Sequence, residues 1–376
     1  PSTMKEPRQD PGTAADVAAS CDRPRNSHRV WIAGAAGSLA LLIALCAETA
    51  FVVDDAFITF RYARSWAEWG TPAFNSFELA PGGHPVEGFS APLWTALLAA
   101  MHAAGLDLAA VVGPLQLVLS AATLVLVARF AAVRLGLGTA GVIIAPLALA
   151  TAAPFVAWST GGMETSLFTL LVTALLLAAL REDGSDVRHG VILGMLGTGV
   201  MVVRAEGLLW VIVLPLLVWP LARRRRCLVI ASALIAVTAA AQLAWRHSVY
   251  GEWVPNTVVA KTGGGVDTLA RGARQTATWA LVTLTPIVAV IAAVPALHHT
   301  GPAARRAARA ALLLSLAFAA FNVAVGGDWM PFFRFMAPAA PALALAIAIG
   351  FDALPRAAAL GAGAVLLVAQ PMALFG

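Results

Sequence analysis

The chain has 376 residues, of which 60% are apolar and only 12% charged, and its mean hydropathy is +0.81. A soluble domain carries about 25% charge, so most of this chain cannot face water, and a soluble enzyme or nucleic-acid binder is excluded. The net charge of +5, from 25 Lys and Arg against 20 Asp and Glu, reports orientation in a membrane before it reports a partner.

Residues 1–30 read as a polar cytoplasmic tail, too long before the first apolar run for a cleaved signal peptide, so that run reads as a signal anchor. Runs able to cross a hydrocarbon core, which needs about 17 to 25 residues, are predicted at 31–53, 109–131, 138–157, 164–181, 189–203, 206–221, 227–249, 277–296, 308–325, 337–353 and 357–374. They make an all-α polytopic membrane protein of about 11 transmembrane helices, with 54–108 as a long first external loop. The apolar stretch 91–104 lies inside that loop and is short. If it spanned, the Arg223 to Arg226 run would land outside, against the positive-inside bias. Laid along the interface instead, it leaves only Arg61, Arg64, Arg204, Arg246, Lys261, Arg271, Arg274 and Arg334 outside, while most acids gather there. Cys21, Cys46 and Cys227 are too scattered for a disulfide framework or a thiolate metal site.

The first outward motif runs from Val53 to Arg64, with Asp54 expected as a helix N-cap. Asp54, Arg61, Ser65 and Glu68 recur on one helical face, leaving Phe57, Ile58, Tyr62, Trp66 and Trp69 for lipid or protein. A capped interfacial helix explains this pattern, but two adjacent carboxylates, Asp54 and Asp55, at a membrane boundary also suit proton transfer. The loop Pro81–Phe89 brings His84 and Glu87, and without a second His nearby a metal site is not expected. Further turns carry Glu164, then Arg204 and Glu206, then Asn256 and Lys261, then Asp328, Trp329 and Arg334. Taken singly, Glu164 and Glu206 complement helix N-termini and Arg204 snorkels. Four such turns on one side, holding both charge signs, argue for a shared cleft, and a cation-bearing cleft beside lipid suits a phosphate headgroup.

Taken in order, Asp54-Asp55-Ala56-Phe57-Ile58-Thr59-Phe60-Arg61-Tyr62-Ala63-Arg64, Val86-Glu87-Gly88-Phe89, Gly162-Met163-Glu164-Thr165, Arg204-Ala205-Glu206-Gly207, Pro255-Asn256-Thr257 with Lys261, and Gly326-Gly327-Asp328-Trp329-Met330-Pro331 resemble the GT-C class of lipid-linked-sugar glycosyltransferases. Within that class they resemble the terminal β-(1→2)-arabinofuranosyltransferase family of cell-wall arabinan. The resemblance implies a GT-C-like bundle over 31–376, with 91–104 as a juxtamembrane helix and a further external carbohydrate-binding domain after it. It implies transfer of arabinofuranose from a polyprenyl-phosphate donor to a cell-wall polysaccharide at the external face of the plasma membrane. Asp54 and Asp55 would be catalytic; Arg61, Arg204, Lys261 and Arg334 would bind the donor phosphate. His84, Glu87, Glu164, Glu206, Asn256, Asp328 and Trp329 would line the substrate cleft. No cofactor is expected, with a divalent metal left open, and the bilayer rather than nucleic acid is the other partner. The family pattern is departed from at Gly83-His84-Pro85. The alternatives are transfer of mannose or another pyranose from the same donor class, and a flippase or transporter. The latter places ionisable residues near the midplane and repeats its halves, whereas the predicted mid-span positions here are apolar and no repeat is visible.

Overall fold

The computed structural model describes residues 23–181, 183–217, 224–254, 265–354 and 374. Among them the regular structure is helical throughout, without a strand. The first helix, α1 (Arg23–Thr49), is the apolar span expected at 31–53, and four residues separate it from α2 (Asp54–Trp69). The N-cap of α2 is Val53 rather than Asp54. The Val53 amide donates to Gly161 O at 3.2 Å, which holds Val53 extended. The helix therefore starts one residue earlier than expected, and Asp54 Oδ1 accepts from the Asp55 amide at 2.9 Å. Both carboxylates stand in the first turn, where the helix dipole favours negative charge.

The amphipathic α2 packs Ala56, Phe60 and Ala63 against Trp94, Leu98 and Ala99 of α3 (Pro92–Ala103). With 12 residues, α3 reaches about 18 Å, well short of a hydrocarbon core of about 30 Å, as the charge argument required. Ser65, expected on the polar face, is buried: its hydroxyl donates to Tyr62 O and Ala73 O because the following loop folds back over it.

The spans follow as α4 (Leu108–Arg129, continued by the π-helical turn Phe130–Arg134), α5 (Thr139–Ala150), α6 (Ala153–Ala157), α7 (Thr165–Ala179), α8 (Asp186–Val203), α9 (Gly207–Leu217) and α10 (Arg225–Tyr250). After them come α11 (Val266–Thr283), α12 (Thr285–His299), α13 (Pro302–Ala324) and α14 (Ala340–Ala353). Two predicted spans are broken. The 138–157 stretch divides into α5 and α6, since Pro154 has no N–H to continue the ladder. The 277–296 stretch is two helices bent by 74°; Pro286 removes a donor, and Leu284 turns left-handed with φ 54°. Among the described residues six helical stretches are long and apolar enough to cross a membrane, and the bent α11–α12 pair makes a seventh. α5 and α7 are shorter apolar helices, and the predicted span 357–374 lies, apart from Leu374, outside the described residues.

At the centre α14 is buried along nearly its whole length. Gly350 lies so close to α12 that a Cβ would fall 2.4 Å from the carbonyl carbon of Ala292, the close backbone approach that small residues permit between membrane helices. The helices carry polar groups to two separate ends. Arg134 and Arg181 meet Asp183 at 3.1 Å, and Arg224 meets Asp186 at 2.6 Å, at the end predicted to be cytoplasmic. The turns predicted to be external meet at the other end.

Candidate active site

The Asp54–Asp55 helix start is seated on the Ser159–Thr165 turn. Besides the Val53–Gly161 bond, Gly162 is left-handed (φ 86°), and a Cβ there would strike Ala56 and Val52, so only glycine lets the turn come this close to α2. Gln116, a lone amide inside α4, fixes the turn. Its Oε1 accepts from the Gly162 amide at 2.6 Å and its Nε2 donates to Met163 O. Ser159 donates to Ser120 at 2.8 Å, and Ser166 donates to Trp158 O at 2.9 Å. On this support Asp54 is exposed and Asp55 half-buried.

The same turn ends in Glu164, which opens a buried ionic cluster. Arg204 lies 3.0 Å from Glu164 and 2.6 Å from Glu206. Arg334 grips Asp328 through Nε at 2.7 Å and Nη2 at 3.4 Å. Both guanidinia lie over the Phe335 ring, at 5.2 and 5.3 Å, with Phe168 also under Arg204 and Trp158 under Arg334. Arg204 does not snorkel; it is 7% exposed. Burial works against its charge, but Glu206, Glu164 and Asp328 together more than offset that and hold its pKa above the ordinary value. Both arginines are therefore already neutralised within the protein.

The turn that presents Asp328 is held from α11. Gln275 Oε1 accepts from the Asp328 amide at 2.7 Å while its Nε2 donates to Asp328 O, and Arg271 Nε donates to Gly326 O at 2.9 Å. Gly326 and Gly327 take left-handed conformations, and so do Phe332 and Phe333, at φ 55° and 52°. Two consecutive bulky residues there are strained. The seat of Arg334 and the Trp158 indole, which donates to Pro331 O at 3.2 Å, hold the turn in that shape. Trp329 projects from it, largely exposed.

The first external loop is fastened to the outer end of α10. Arg246 Nε meets Glu87 Oε2 at 2.6 Å with both groups buried, Tyr250 donates to Pro72 O at 2.9 Å, and Trp66 stacks on Trp245 at 5.6 Å. Tyr62 donates to Val86 O and accepts from the Gly88 amide; burial pushes its phenol up to about 12. Burial also raises the Glu87 carboxyl above the ordinary range, with Arg246 pulling it back. Glu87→Ala should cost about 3 to 5 kcal/mol, because it strands a buried guanidinium. Limited proteolysis should then cut between residues 72 and 89 much faster than in the parent; unchanged protection would show that the ion pair does not hold the loop. His84 sits exposed at the loop's edge. Arg61 donates from Nε to Phe74 O at 2.8 Å and, among the described residues, makes no ion pair.

Glu164, Glu206, Asp328, Arg204 and Arg334 are thus brought together, and the backbone just before Asp54 and Asp55 meets the same turn at Gly161. Glu87 joins a separate pair, and Asn256 and Lys261 lie outside the described residues. Among the described residues no three His, Cys, Asp or Glu side chains are grouped as metal ligands would be. Sequence reasoning gave no role to Arg246, Gln275 or Gln116. Gln116 carried a signal, as an isolated polar side chain within an apolar span, and so did Arg246, as a cation inside the 227–249 run.

No protein-family model and no curated protein sequence matches the chain. Among solved structures it is similar to the crystal structure of ArnT from Cupriavidus metallidurans in the apo state, with a TM-score of 0.57 and 14% identity over 88% of this chain. The match covers 61% of the ArnT chain. At that identity the likeness is one of fold, and the polytopic GT-C-like helical architecture expected from the sequence is the fold the two proteins share.

Proposed function

We propose that the chain is a membrane glycosyltransferase that moves arabinofuranose from a polyprenyl-phosphate donor to a cell-wall glycan. The observation that carries this reading is the Val53–Gly161 contact, which supports one cleft joining the Asp54–Asp55 carboxylates to the turn that leads into Glu164 and Arg204. The ArnT-like fold supports the class of reaction, and the motif order supports the furanose. In the proposed reaction the acceptor hydroxyl gives its proton to Asp54 as its oxygen bonds to the anomeric carbon. The bond from that carbon to the phosphate oxygen breaks, and its electron pair leaves with the lipid phosphate. In a retaining course one of the two carboxylates attacks first and the other then activates the acceptor. Arg61, two turns along α2 from Asp54, and Lys261 are the cations proposed to meet the phosphate. Arg204 and Arg334, already paired, act in this reading by holding the cleft and its field in a water-poor setting. Glu164, Glu206, Asn256, Asp328, Trp329 and His84 complete the proposed cleft, while Glu87, buried against Arg246, fastens the first external loop beside it.

Incubating purified protein with polyprenyl-phosphate sugars and synthetic arabinan acceptors tests this. Transfer of arabinofuranose is the expected result, transfer of mannose alone would favour the pyranosyl alternative, and no transfer from any such donor would overturn the reading. The proposed orientation, with the amino terminus cytoplasmic and the cleft at the external face of the plasma membrane, has its own test. In a chain lacking Cys21, Asp267→Cys, at an exposed position in the first turn of α11, should react with an impermeant maleimide in intact cells. Labelling only after permeabilisation would reverse the orientation.

A further inference from the structure

Between α2, the end of α3 and the start of α4 lies an open cavity of about 530 Å³, lined by Phe57, Phe60, Arg61, Arg64, His102 and the 105–109 turn. That volume falls in the range of small-molecule sites. Leu108, where the membrane-length stretch Leu108–Arg134 begins, forms part of its wall, so the cavity sits at the bilayer boundary, the depth of lipid phosphates. Phe57, Arg61 and Arg64 share one stripe of α2 at helical spacing. The lining residues Phe57 and Leu106 expose large apolar side chains.

The charges fit an anion. Arg61 makes no ion pair among the described residues. Arg64 meets Glu68 at 2.7 Å, but the Arg64 side chain is 59% exposed and that of Glu68 37%, and such a surface pair is weak enough to be exchanged for a better partner. His102 Nε2 stands 3.4 Å from the same carboxylate. The one acid in the wall, Asp107, is turned to its own helix, where Oδ1 accepts from the Ala109 amide at 3.1 Å. Two guanidinia over an apolar floor match the forked recognition of phosphate oxygens beside hydrocarbon.

We propose that this cavity binds the phosphodiester headgroup of a lipid, with Arg61 and Arg64 on the phosphate and the chain leaving over Phe57 and Leu106. The inference rests on the membrane placement of α4 and not on sugar transfer. Two lipids carry this chemistry: a prenyl phosphodiester of the kind proposed as donor, and an anionic glycerophospholipid of the surrounding bilayer.

Native mass spectrometry of the full chain in maltoside detergent tests it, with phosphatidylglycerol, a prenyl-phosphate glucose, and diacylglycerol as the phosphate-free control. The two phosphodiesters should bind at least about tenfold more tightly than diacylglycerol, and the Arg61→Ala/Arg64→Ala double variant should lose about tenfold or more of that affinity. Arg274→Ala, which removes an exposed charge on α11, should lose none. Bound phosphatidylglycerol displaced by prenyl-phosphate glucose would assign the cavity to the donor, and persistence would assign it to bulk lipid. Leu106→Trp narrows the mouth without touching a charge and should also lower occupancy, which keeps the test decisive if the double variant does not fold. Binding equal to the parent in whichever of these variants folds would overturn the proposal, whatever the outcome of the transfer assays.

Discussion

Asp54→Asn should lower sugar transfer by about 10² to 10⁴-fold, the usual loss when a general base is removed, with donor affinity nearly unchanged. Asparagine keeps the size of the side chain, and its Oδ1 can still accept from the Asp55 amide as Asp54 does at 2.9 Å. The start of α2 and its seat on Gly161 therefore survive, and only proton acceptance is lost. The donor phosphate meets cations in the proposed cleft, so removing one negative charge leaves that attraction the same or slightly stronger. Arg61→Ala and Lys261→Ala should show the opposite pattern, with weaker donor binding. Donor affinity by competition and turnover by radiolabel transfer separate the two effects. If Asp55→Asn abolishes transfer and Asp54→Asn does not, the roles are exchanged. Near-normal turnover in both variants would put the site elsewhere.

Arg204→Met should destabilise the protein by about 3 to 5 kcal/mol, the cost of leaving buried partners of a broken ion pair without compensation. The guanidinium faces two carboxylates, at 3.0 and 2.6 Å, and packs on Phe168 and Phe335, so its loss strands both Glu164 and Glu206. Methionine keeps the packing against the rings, which confines the effect to charge. The thermal midpoint in detergent should fall by many degrees. Adding Glu164→Gln should recover part of the loss, because the two changes share one network and are not additive. An unchanged midpoint together with lost donor binding would make Arg204 a substrate ligand and not the hub of the cluster.

The broken spans show where local reading stops. Pro154 and Pro286 are plain in the sequence, and each does end a ladder, yet a proline in a membrane helix is also tolerated as a kink when neighbours satisfy the freed carbonyl. Leu284 goes left-handed and the chain turns by 74°, bringing α11 alongside α13 with Gly272 against the backbone of Asn322 and Val323. From there Gln275 can clamp Asp328. Nothing near Gln275 in sequence announces that contact, since its partner lies 53 residues away.

Composition and local pattern carry the membrane class and the helical run of the chain. Apolar run lengths and the shortage of charge required a helical membrane protein, because lipid leaves every backbone polar group to be satisfied within its own segment. The bias of Arg and Lys predicted which turns share an end, and Arg204 with Glu164 on one side and Arg224 with Asp186 on the other meet accordingly. The tertiary structure alone decided the partners within each end. Arg246 was one external cation among several until the fold set it 2.6 Å from Glu87, 159 residues away. Arg204 and Arg334 looked free to meet a phosphate until Glu206 and Asp328 were found already on them. Hydropathy and charge bias are sums over neighbouring residues and survive without a structure. An ion pair depends on where two distant segments return to within 4 Å of each other, and that is set by how every helix between them packs.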